Sequence, residues 1–144
     1  MAVPAILQLA QAVAAELSAQ LPELPSAPAV AVLPVYDLGK TSELRVTVVP
    51  RSVEIARATR AADQCDIKID VGVQKKITAN IEAEVPALLG LVGQVIDVLR
   101  GRRLAGFPEA AWIGVANDPV YAPEHLREMR QFTSVVTLTY RVLG

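Results

Sequence analysis

The chain has one cysteine, one histidine and few aromatic residues, and its acids and bases nearly cancel to a formal net charge of −1. Each shortage closes off a class of function. Cys65 cannot form an internal disulfide by itself, so nothing requires an oxidising compartment and folding in the cytoplasm is expected. His125 follows Glu124 in a proline-flanked turn, a setting that fits a surface position better than a catalytic one. A Cys65–His125 dyad is conceivable, but Cys65 alternates with Ile67 and Ile69, and a buried structural cysteine is the better account. Aromatic side chains make up 4% of the chain, too few for a platform on which bases stack. The basic residues are scattered, so the bulk attraction of a nucleic-acid binder is missing. No uncharged apolar run reaches about 18 residues, which argues against a membrane-spanning helix. The first twenty residues lack a basic n-region and include Gln8, Gln11 and Glu16, so they read as a helix and not as a secretory signal. There is no P-loop, GxGxxG, HExxH or CxxC motif. No catalytic group, cofactor or metal is expected.

What is present is a patterned chain of 144 residues, read as one domain over 1–144. A chain of this length buries roughly 68–70% of the surface it exposes when unfolded, enough for a core without staples. Residues 5–20 place Ile6, Leu9, Ala10, Val13 and Leu17 at helical spacing. Prolines 22, 25 and 28 then impose an extended link over 21–29. The segment 29–38 is β-branched but contains Pro34, which suits an edge or broken strand. In 43–50, Leu44, Val46 and Val48 alternate with Arg45 and Thr47.

The segment 65–76 alternates most cleanly. Cys65, Ile67, Ile69, Val71 and Val73 fall on one side; Asp66, Lys68, Asp70, Gly72 and Gln74 fall on the other, which is expected to be wet. A main helix is expected over 80–103, with an apolar stripe from Ile81 to Leu99. Asn80 is its expected N-cap and Gly101 its C-cap; Pro86 predicts a start nearer residue 84 or a mild bend. Gly90 and Gly93 inside that helix suggest close packing against another element, since each costs roughly 1 kcal/mol against alanine. Further strands are expected over 110–118 and 131–142. In the last, Phe132, Val136, Leu138 and Tyr140 oppose Thr133, Thr137, Thr139 and Arg141. The order αβββαββ predicts an α+β fold: an antiparallel or mixed sheet of four to five strands with two main helices packed on one face.

The stretch 51–64 breaks the pattern. Arg51, Glu54, Arg57 and Arg60 recur every third residue among small ones. Two readings are open: a solvated loop with a helical turn, or a projecting arm that touches a neighbouring copy. Asp66 and Asp70, four residues apart on a strand, stand roughly 13 Å apart, too far for one metal or an acid–base pair.

The run LRVTVVPRS, an arginine-containing loop, CDIKIDVGVQKK, a helix, and then WIGVANDPVYAPEHLREMRQFTSVVTLTYRV resembles bacteriophage tail terminator or tail-completion proteins. The likeness runs from about residue 30 to the end, with NDPVYAPEHL followed by RQFTSVVTLTYRV as its most specific part. The resemblance implies a structural virion protein, assembled in the host cytoplasm, whose copies close into a ring, usually a hexamer. Such a ring sits at the head-proximal end of the tail tube in the neck, stops tube polymerisation and joins the head connector. Its implied partners are further copies of the chain, the tube protein and the connector, with genomic DNA passing through the lumen and no membrane.

On that reading the candidate interface residues are Arg51, Arg57, Arg60, Lys75, Lys76, Thr133, Thr137, Thr139 and Arg141. Asp66 and Asp70 are candidate lumen positions. Two rival readings remain: another neck, connector or minor tail protein, and a small cytoplasmic module of α+β class that binds a ligand or peptide. An enzyme with an unfamiliar site around Cys65 and His125 is a third.

Overall fold

Strict alternation from Cys65 to Val73 sends every second side chain to one side, and the whole molecule is arranged about that division. The computed structural model describes residues 5–22, 24, 28–30, 44–57, 59–60, 63–77, 80–117, 121, 123–124, 127 and 130–143. In chain order the elements are α1 (Ala5–Gln20), β1 (Ala29–Val30), β2 (Arg45–Arg57), β3 (Asp63–Lys76), α2 (Ile81–Leu99), β4 (Ala111–Asn117) and β5 (Gln131–Leu143). They form one sheet in the order β1-β2-β3-β5-β4. The four long strands are antiparallel throughout; β1 adds two residues parallel to β2, at Thr47 and Val48. This is the expected α+β class and element order. Pro34 and most of the segment 29–38 lie outside the described residues, as does His125.

β3 and β5 make the spine of the sheet. They pair from Gln64↔Leu143 to Lys76↔Gln131 with no break in register. Ile67, Ile69 and Val71 therefore stand beside Tyr140, Leu138 and Val136 on one face, and all six are buried. Both helices cover this face. α1 buries Leu9, Val13 and Leu17 over β2 and β3, and α2 buries Leu88, Val92, Val95 and Leu99 toward β5. Burying each such side chain contributes about 1.5–3 kcal/mol. Tyr140 and Phe132 are the largest fully buried side chains.

Most of the segment 51–64 is strand and not a solvated loop with a helical turn: Arg51–Arg57 continues β2, and Asp63 and Gln64 open β3, paired with each other along the sheet. The physical reason is a bulge. Pro50 pairs with Ile69 and Ser52 with Lys68, which leaves Arg51 as an extra residue. One inserted residue reverses the parity of everything after it. Before the bulge Val46 and Val48 face the helices; after it Val53 and Ile55 stand beside Ile67 and Cys65 on that same face. Without the extra residue Ser52, Glu54 and Ala56 would lie there. Cys65 is half-buried instead of fully buried, in an apolar depression with Ile6, Val53, Ile55 and Val142.

α2 begins earlier than Pro86 suggested. Asn80 accepts a hydrogen bond from the Glu82 N–H at 2.9 Å and caps the helix at Ile81, so Pro86 lies within it. The helix also stops at Leu99, short of 103. Arg100 is extended, and Gly101 adopts φ +69°, a left-handed turn that glycine enters without strain. Gly106 lets the following segment close on α1, where a Cβ would stand 3.2 Å from that of Ala12.

Gly90 and Gly93 do not mark close packing among the described residues, since a Cβ added at either meets none of them within 4 Å. Gly90→Ala is therefore expected to stabilise the fold by roughly 0.5–1 kcal/mol, read as a raised denaturation midpoint. A lowered midpoint would mean that the position is crowded.

Candidate functional site

The face of the sheet opposite the helices carries the sequence-derived candidates. β5 brings Thr133, Thr137, Thr139 and Arg141 to it, and β3 brings Asp66, Lys68, Asp70, Gly72 and Gln74. Pairing sets them in rows: Asp66 beside Arg141, Lys68 beside Thr139, Asp70 beside Thr137, Gln74 beside Thr133.

Each row has its own chemistry. Arg141 grips Asp66 with two bonds, Nε to Oδ1 at 2.9 Å and Nη2 to Oδ2 at 3.2 Å. This fork fixes geometry as well as charge. Thr137 donates its hydroxyl proton to Asp70 Oδ1 at 2.7 Å, and Arg51 reaches over from the bulge to Asp70 Oδ1 at 3.4 Å and to Thr137 Oγ1 at 3.2 Å. The bulge thus does two things at once: it turns Val53 and Ile55 toward the helix side and brings an arginine onto the open face. Both aspartates have arginine partners. The face is charge-compensated, and these two positions do not form an acidic patch.

Toward the other end of the same face the environment changes. Thr47, Gln74 and Thr133 are buried there, contrary to the expectation of a wet surface at Gln74. With Val49, Asp70 and Val135 they surround a depression that includes Gly72. The Gln74 amide nitrogen is enclosed and finds no hydrogen-bond partner among the described residues. Period-two reading assigned Gln74 to this face correctly; its burial depends on tertiary cover that alternation does not encode.

The remaining candidates lie apart. Arg57 and Arg60 are exposed at the hairpin end, with Arg57 opposite Asp63. Lys75 and Lys76 stand at the far end of β3, on the order of 40 Å away along the strand. Lys75 Nζ bonds to Glu84 Oε1 at 3.0 Å, which ties β3 to the first turn of α2 and gives this lysine a role inside the fold. Among the described residues no group of three or more His, Cys, Asp or Glu side chains is placed to hold a metal.

No protein-family model and no curated protein matches the sequence. Solved structures do share its fold. A chain from the virion of a native gene transfer agent particle matches over 99% of this chain and 100% of its own length, at TM-score 0.59 and 15% identity. The fold is that of a virion chain along its whole length. A sheath/tube terminator of an extracellular contractile injection system, in its extended state, matches over 100% of this chain and 58% of its own, at TM-score 0.48 and 16% identity. The chain thus spans a little over half of that second protein.

The Arg141 fork holds the Asp66 carboxyl below its ordinary value of 3.8, mainly through the hydrogen bond and secondarily through charge. A lowered native pKa gives stability that is present above the unfolded value, near pH 4, and fades as pH falls through the native one. Wild type is therefore expected to lose more denaturant resistance between pH 7 and pH 3 than Asp66→Asn does, measured by chemical denaturation at both pH values. Equal losses would show that the pair contributes nothing to folding.

Proposed function

We propose that the chain is a structural protein of a phage-like tail, a terminator whose copies form a ring at the head-proximal end of the tail tube. The ring ends tube polymerisation and presents a surface to the head connector, and its number of copies is six. One observation carries the reading: a fold shared end to end with a virion chain. Two features of the sheet suit it. Both helices lie on one face, and among the described residues no helix covers the part of the other face around Asp66 and Asp70, which suits a lumen wall or a contact with a neighbour. That face pairs its aspartates with arginines, so a polyanion passing it meets little net attraction or repulsion from those positions.

In this arrangement Arg51, Asp66, Asp70, Thr137, Thr139 and Arg141 belong to the lumen side or to contacts beside it. Arg57 and Arg60, at the hairpin end, reach the next ring or the neighbouring copy. The same fold also suits another neck position, such as a connector ring, and location within the particle separates the two. Among the described residues a ligand-binding role is favoured by one feature, the depression beside Gly72, where the Gln74 amide nitrogen has no partner.

The reading is tested by electron microscopy of particles assembled with and without the chain. Without it, tail tubes are expected to exceed their normal length and to remain unjoined to heads. With a tagged chain, the label is expected at the head-proximal tube end. Joined tails of normal length in its absence would overturn the proposal.

A further inference from the structure

We draw no further inference here: the strongest candidate, the apolar depression between α1 and the sheet lined by Ile6, Val53, Ile55, Cys65 and Val142, is an unpartnered apolar face, and nothing among the described residues shows what covers it.

Discussion

The unbroken antiparallel pairing of β3 with β5 is the constraint on which the rest depends. Because side chains alternate strictly along a strand, this single register decides which residues meet the helices and which do not. A slip of one residue would carry Ile67, Ile69 and Val71 to the open face and bring Asp66, Lys68 and Asp70 beneath α1 and α2. Burying three charges without partners is far costlier than any local strain the fold accepts. The register is therefore held from both sides, by apolar burial on one face and by the Asp66–Arg141 and Asp70–Thr137 pairs on the other.

Departures from regularity all fall at the two flanking strands. β2 carries Pro50 and the bulge at Arg51, and β4 is irregular between Trp112 and Gly114. Central strands have partners on both sides and no room for an extra residue, whereas an edge strand can bulge without breaking a second ladder. At Arg51 the irregularity links the two faces. The same inserted residue supplies a cation to Asp70 on the open side and rephases Val53 and Ile55 on the covered side. The side on which Val53 and Ile55 lie and the charge partner of Asp70 are in this way consequences of one local event.

Much of this was legible in the residues alone. The segments 65–73 and 136–141 alternate without interruption, so their strands and their inward faces followed directly. Asn80, Glu82 and Gly101 marked the ends of α2 through capping chemistry that acts locally. The stretch 51–57 was illegible because a bulge changes parity in mid-strand: Val46 and Val48 are even, Val53 and Ile55 odd, and a fixed period of two sees disorder. Arginine, serine and glutamate on an exposed strand also look like a loop. Of the open-face candidates, the grouping of Arg141 with Asp66 and of Thr137 with Asp70 needed the register, which no single strand carries. The burial of Gln74 and Thr133, and the open space around Gly90 and Gly93, are tertiary facts with no local signature.

The central claim is that the β3–β5 register organises the molecule, and native-state amide hydrogen exchange tests it most directly. The account predicts that the slowest amides belong to residues 65–74 of β3 and 133–142 of β5, opening together in one cooperative event, with 52–57 of β2 exchanging earlier. Slowest exchange confined to α1 and α2, with β3 and β5 opening independently of each other, would contradict it.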